Sequence, residues 1–158
     1  MDRAVTDRVL TGLAALGSAA LLGGAFLFQA LGYAPCPMCL WQRYPHAIAI
    51  GIGVLAYFLP GRVLAAMGAI AALTTAGIGL FHTGVERDWW EGPSTCSSQP
   101  IGGLSAEELL DQIMNAPLVR CDEVAWQLAG LSMASWNAVL SFGLALLWVM
   151  AASKPAHS

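Results

Sequence analysis

The sequence predicts an all-α membrane protein, a four-transmembrane-helix bundle with one long extracytoplasmic loop that carries a short amphipathic helix. Three observations predict it. Of 158 residues, 57% are hydrophobic and only 11% charged, and the mean hydropathy is +0.63, which leaves too little polar material to cover a water-soluble globule of this size. Four apolar runs, the second carrying Arg43, are each long enough to cross a hydrocarbon core of about 30 Å at about 1.5 Å per residue. Between the third and fourth runs the chain turns polar, with Glu86, Arg87, Asp88 and Glu91 among its residues. The net charge of -3 and the scattered basic residues leave no basic face for a nucleic acid.

The first span is placed at residues 9–31, after a short charged start. A secretory signal peptide would have an apolar core of about 7–15 residues behind a clearly positive start, and Pro35 stands directly before Cys36, where a lipoprotein cleavage site needs a small residue. The segment is therefore read as a retained anchor. The second span is placed at 38–59, because a helix starting only at Pro45 would be short for a bilayer; Pro45 then becomes an interior kink. Pro60-Gly61-Arg62 turns the chain into the third span, 63–83, where Gly68, Ala72 and Ala76 form a four-residue row of small side chains suited to close helix packing in lipid. Residues 84–132 form the long loop. Ser105 and Glu108 make a capping box, Leu104 and Leu109 a hydrophobic staple, and a short helix follows with Leu109, Leu110, Ile113 and Met114 on one side until Pro117. It is placed either on the membrane surface or against the rest of the loop. The segment 126–132 reads as irregular before the fourth span at 133–152, and Lys154 to Ser158 is a tail.

Chemistry concentrates in Pro35-Cys36-Pro37-Met38-Cys39-Leu40-Trp41-Gln42-Arg43. Two thiols at C-x-x-C spacing close a small reversible disulfide, and a helix N-terminus or a cation beside one of them favours its thiolate. A helix starting at Pro37 puts Cys36 at the N-cap, Cys39 in the first turn and Arg43 one turn beyond, in phase with Cys39. Cys96 and Cys121 lie in the long loop. The loops at 32–44 and 84–132 are separated by two crossings, so all four cysteines face one compartment, as thiol–disulfide exchange between the pairs requires. Arg3, Arg8, Arg62 and Lys154 lie opposite them and Arg43, Arg87 and Arg120 with them, a slight excess that puts the thiols on the oxidising side. Trp41, Trp89, Trp90, Trp126 and Trp136 fall near the same face, as an interfacial belt would.

Cys36-x-x-Cys39-x-x-x-Arg43 at the start of the second span, His82 at the end of the third, the loop pair Cys96 and Cys121, and Gly130-Leu131-Ser132-Met133-Ala134-Ser135-Trp136 before the fourth together resemble the DsbB family over nearly the whole chain. The resemblance implies one domain over 1–158, multi-pass in a bacterial inner membrane, with cytoplasmic termini and periplasmic cysteine loops. It implies an enzyme that reoxidises a DsbA-type, thioredoxin-fold dithiol oxidase and passes the electrons to a membrane quinone, ubiquinone or menaquinone. Cys96 and Cys121 would meet the partner, Cys96 being the sulfur attacked. Cys36 and Cys39 would then reoxidise that pair through a Cys36–Cys121 disulfide, with Cys39 facing the quinone and Arg43 and His82 polarising its oxygens. Apart from the family, the residues suggest the same acceptor: a new disulfide needs a two-electron sink, and nothing here resembles a flavin or nicotinamide domain.

Plainer readings stand beside these. A lone C-x-x-C is often structural, and Cys96–Cys121 would serve as a loop staple. Arg43 would serve as an interfacial snorkelling cation, and His82 as an interfacial histidine with one hydrogen bond. Gly51-Ile52-Gly53-Val54-Leu55-Ala56 matches a dinucleotide fingerprint in letters only, since no strand precedes it. Two other classes remain: a zinc protein using Cys36, Cys39, His82 and a loop cysteine, and a structural four-helix membrane protein.

Overall fold

The computed structural model describes residues 3–94, 96–97, 103, 105–114 and 119–153. Helix α1 runs Arg3–Ala30, six residues earlier than the apolar run alone suggests, because the charged start carries no helix breaker. It ends where Gly32 takes a φ of 101°, with Tyr33 N–H bonded to Phe28 O and Gly32 N–H to Gln29 O. That double bond closes a helix on a left-handed residue, and glycine adopts it without steric cost.

Helix α2, Pro37–Phe58, starts where the longer reading put it, with Cys36 at the N-cap and Pro37 at the first helical position. Proline there loses nothing, since its missing N–H has no helical partner in any case. The helix runs unbroken through Pro45 and ends two residues before Pro60, with Leu59 N–H bonded to Leu55 O. Helix α3, Arg62–Glu86, continues three residues past the expected end at 83. Its stop is Asp88 at φ 55°, with Asp88 N–H to Val85 O and Trp89 N–H to Gly84 O; without a glycine, this terminus gives a weak sequence signal.

In the long loop, helix α4 covers Ala106–Met114. The capping box is present: Ser105 N–H donates to Glu108 Oε2 at 2.8 Å and Glu108 N–H to Ser105 Oγ at 3.3 Å. None of its residues is buried. The staple residue Leu104, the stop at Pro117 and the tail from Lys154 lie outside the described residues. The segment read as irregular contains a small hairpin, β1 (Gln127–Leu128) paired with β2 (Leu131–Ser132) around Ala129 and Gly130, both at positive φ. It ends on Ser132, whose Oγ accepts Ser135 N–H at 3.1 Å and caps helix α5, Met133–Ser153.

Helix α3 packs against α5 and α2, and α1 against α2 and α5. The core is mostly alanine, with Ala14, Ala49, Ala65, Ala72 and Ala145 around the fully buried Trp148. The small-residue row does what its spacing predicts at Gly68, where a Cβ would run into the Trp148 ring of α5; outside the row, a Cβ on Gly79 would lie 3.0 Å from Ala134 O of α5. Large apolar side chains such as Leu16, Phe58, Val63 and Ile70 point outward, more than 60% exposed. An alanine interior with a leucine-rich exterior inverts the order of a soluble protein and suits a lipid surround. Among the described residues, three helices are long and apolar enough to cross a membrane, beginning at Val5, Arg62 and Met133. Helix α2 is not among them, because Gln42 to His46 dilute its hydropathy.

Candidate functional site

The beginning of α2, the end of α3 and the loop meet in one sulfur-rich cluster. Cys36, Met38, Val85, Cys96 and Cys121 are buried together, with Cys39 against them. Cys96 and Cys121 are disulfide-bonded across 25 residues, Cα atoms 5.2 Å apart. Cys36 and Cys39 are free, with their sulfurs 2.7 Å apart. The helix start holds them: Cys39 N–H donates to Cys36 Sγ at 3.2 Å. The hydrogen bond shared with Cys39, and then burial, push the Cys36 thiol far above its ordinary range. Two thiolates this close repel, so one proton stays in the pair.

His82, 3% exposed, ties the two pairs together. Its Nε2 lies 3.7 Å from Cys36 Sγ and 3.2 Å from the Cys121 carbonyl oxygen, and ligand atoms of Cys36, His82 and Cys121 all fall within 4.8 Å of one another. Its ring is set by a chain of amides. Asn137 Nδ2 donates to Gln42 Oε1 at 2.7 Å and to Thr75 Oγ1 at 3.1 Å, so Asn137 Oδ1 accepts from His46 Nε2 at 2.8 Å. Gln42, its oxygen taken, donates through Nε2 to Met38 O and to His82 Nδ1 at 3.0 Å. His82 Nδ1 is therefore the acceptor, and its hydrogen sits on Nε2, facing the sulfurs.

That assignment bears on the zinc reading. Cys36, His82 and Cys121 have the donor types and the closeness of a metal site, but a metal needs a bare imidazole nitrogen and thiolate ligands. Here the nitrogen facing the sulfurs carries the hydrogen, and Cys121 is in a disulfide.

Beside the sulfurs, a cavity of about 380 Å³ lies between α1, α2, the hairpin and the start of α5, lined by Cys36, Cys39, Gln42, His82, Glu86 and Trp136 among others. Its size and mostly apolar walls suit a small-molecule site. Arg43 also lines it, but its hydrogen bonds go to α1: Nη1 to Gln29 Oε1 at 2.6 Å and Nη2 to Ala25 O at 3.3 Å, with Phe26 under the guanidinium at 4.9 Å. It stands one turn beyond Cys39 on the same helix, with its hydrogen bonds clamping α1.

A model of the family described as Disulfide bond formation protein DsbB matches residues 7–151. The chain belongs to the DsbB family. Disulfide bond formation protein B of Shewanella amazonensis is 31% identical over 90% of this chain and 88% of its own length. Disulfide bond formation protein B 2 of Pseudomonas syringae pv. syringae is 33% identical over 89% and 85%, and Disulfide bond formation protein B of Aromatoleum aromaticum 31% over 92% and 91%. No solved structure matches. As a DsbB-family protein this is a membrane thiol–disulfide oxidoreductase, an enzyme of quinone-dependent disulfide formation.

The sequence reading of this DsbB-family chain passed over Gln42, His46, Thr75, Asn137 and Glu86. One signal was available for the first two. Gln42 and His46 stand three and seven residues after Cys39, on its face of the helix, and polar side chains inside a span turn inward to partners.

Proposed function

We propose that this DsbB-family protein reoxidises a periplasmic dithiol oxidase of the DsbA type and delivers the electrons to a quinone, ubiquinone or menaquinone, held in the cavity beside Cys39. On this reading the chain is one domain over 1–158 that crosses a bacterial inner membrane four times, with α2 as the second span and the termini cytoplasmic. Helix α2 is 22 residues long, enough for the crossing, and its polar residues turn inward to partners on α3 and α5.

The observation that carries the proposal is the gathering of both cysteine pairs round His82, with Cys36 and Cys121 within 4.8 Å and Cys39 at the cavity wall. A partner thiolate attacks Cys96, breaking the Cys96–Cys121 bond and freeing Cys121. The partner's second thiolate displaces Cys96 and leaves with the partner's new disulfide. Cys121 attacks Cys36 of an oxidised Cys36–Cys39 pair, forming the interloop disulfide and releasing Cys39; Cys96 then attacks Cys121, restoring the loop bond and releasing Cys36. Each step breaks one S–S bond and forms another. Bound quinone supplies the two-electron, two-proton acceptor that recharges the α2 pair. The apolar walls admit a lipid-soluble ring, and Arg43 and His82 present N–H donors suited to its carbonyl oxygens.

The test is quinone reduction by the purified protein with a reduced thioredoxin-fold partner. Wild type is expected to turn over, and Cys36→Ser and Cys39→Ser to lose quinone reduction altogether; unchanged turnover in both variants would reject the relay.

A further inference from the structure

His46, within α2, is a buried imidazole that the relay does not use. It is 3% exposed and lines the cavity together with Cys39, Gln42 and Arg43. Its hydrogen can be placed from the groups around it. Met38 O can only accept, so the Gln42 side-chain nitrogen faces it at 3.2 Å, and Gln42 Oε1 accepts from Asn137 Nδ2 at 2.7 Å. The Asn137 atom left for His46 is the oxygen, Oδ1, 2.8 Å from His46 Nε2; the Ser141 hydroxyl donates to the same oxygen at 3.3 Å. An acceptor in that place puts the imidazole hydrogen on Nε2. Nδ1 keeps a bare lone pair, and among the described residues no group hydrogen-bonds it. A buried acceptor left without a partner is costly.

Arg43, three residues earlier on the same helix, is in the complementary condition. Its Nη atoms are taken by α1, while its Nε–H is buried without an acceptor. Two residues of one cavity wall thus offer an unused donor and an unused acceptor. A carbonyl oxygen answers only the donor. A hydroxyl answers both, because it accepts and donates.

We propose that His46 Nδ1 accepts a hydrogen bond from a ring hydroxyl of the reduced quinone, so that the cavity holds quinol more tightly than quinone. The inference rests on the quinone reading of this cavity. Closing the Cys36–Cys39 disulfide delivers two electrons and the pair's one proton to the ring; with one proton from solvent, each ring carbonyl becomes a hydroxyl. The oxygens of the oxidised ring carry lone pairs and repel Nδ1, whereas a hydroxyl donates to it. An interaction made only with the product form shifts the equilibrium toward that form by its differential affinity. A tenfold preference raises the potential of the bound two-electron couple by about 30 mV, which draws electrons out of the sulfur pair. His82 cannot take this part, because Gln42 already occupies its Nδ1 lone pair. One chain of amides therefore gives the two histidines opposite duties: His82 presents an N–H and His46 a lone pair.

The test uses full-length protein carrying Cys36→Ser and Cys39→Ser, which cannot turn the ring over, and a short-tailed ubiquinone in its oxidised and reduced forms under anaerobic conditions. Binding isotherms are expected to give a Kd about tenfold lower for the quinol, the size of one hydrogen bond. His46→Gln keeps an N–H for Asn137 and loses the acceptor, and should bring the two Kd values together. His46→Asn places its side-chain oxygen where Nδ1 stood and should restore part of the preference. Nitrogen-15 spectra of histidine-labelled protein, which need no substitution at His46, should show its bare nitrogen shifting with quinol and not with quinone. Equal Kd values while His46 is present, a quinol preference that persists in His46→Gln, or a bare-nitrogen signal that quinol leaves in place would overturn the proposal and leave the quinone reading standing. Failure of both forms to bind would reject that reading, and this inference with it.

Discussion

Gln42 offers two donor hydrogens and one acceptor oxygen, and the buried network uses all of them: Met38 O, His82 Nδ1 and the Asn137 amide. A leucine of similar volume would strand His82 and Asn137 without those partners. Gln42→Leu should therefore destabilise the protein by about 1–3 kcal/mol, the cost of buried groups left unpaired, read as a lower unfolding midpoint in detergent. Gln42→Glu should disturb the unfolding midpoint less while removing the donor that fixes the histidine. Arg43 belongs to a different contact set. Arg43→Ala should raise the KM for quinone several-fold while attack of a thiol partner on Cys96–Cys121 keeps its rate; an unchanged KM would detach Arg43 from the cavity's ligand. The cysteines, Arg43 and His82 were legible in the sequence because each is a reactive or charged side chain at a telling position. Gln42, Asn137 and Thr75 were not, since neutral polar residues reveal a role only when their partners on other helices are known.

Among the elements, α4 and α3 obey opposite logic. Helix α4 is set by local signals. The backbone N–H of Ser105, and then its hydroxyl, hold the Glu108 carboxyl below the ordinary glutamate range. A carboxylate whose folded value is depressed contributes stability above its unfolded value and loses it as pH falls through the folded value. Acidification through that window should melt α4 before the bundle, and Ser105→Ala, which keeps the backbone N–H and loses the hydroxyl, should weaken this pH dependence, both measured by amide hydrogen exchange over 106–114. Such a capped start could be read from the sequence alone. Helix α3 instead depends on how closely its neighbours come. Gly68→Val would force atoms into the Trp148 ring, and overpacking of this kind costs about 1–3 kcal/mol, again visible in thermal unfolding. The row of small residues was legible, whereas the partner it admits was not, because nothing in the spacing of α3 points to one tryptophan of α5. The last turn of α3 and the hairpin before α5 escaped prediction for a related reason: Asp88 and Ala129 hold left-handed conformations that their residue types do not advertise.

At the scale of the whole molecule, the alternation of apolar runs makes the membrane class plain, and parity of the four expected crossings predicts the four cysteines on one side. With the four native cysteines replaced, single cysteines at the exposed loop positions Tyr33→Cys and Glu91→Cys should label in intact membranes from the same face and from that face only. What parity cannot give is proximity. That Cys36 reaches Cys121 follows from the loop folding back over the end of α3, held by Cys121 N–H on Cys96 O and by His82 on Cys121 O.

The loop disulfide has one further property: both of its sulfurs are entirely closed to solvent. Small thiols dissolved around the protein meet a sealed lid rather than an open bond, so they cannot discharge it at random. Only a macromolecule able to grip and lift that flap gains entry, and the stored oxidising power is thereby reserved for a docked client.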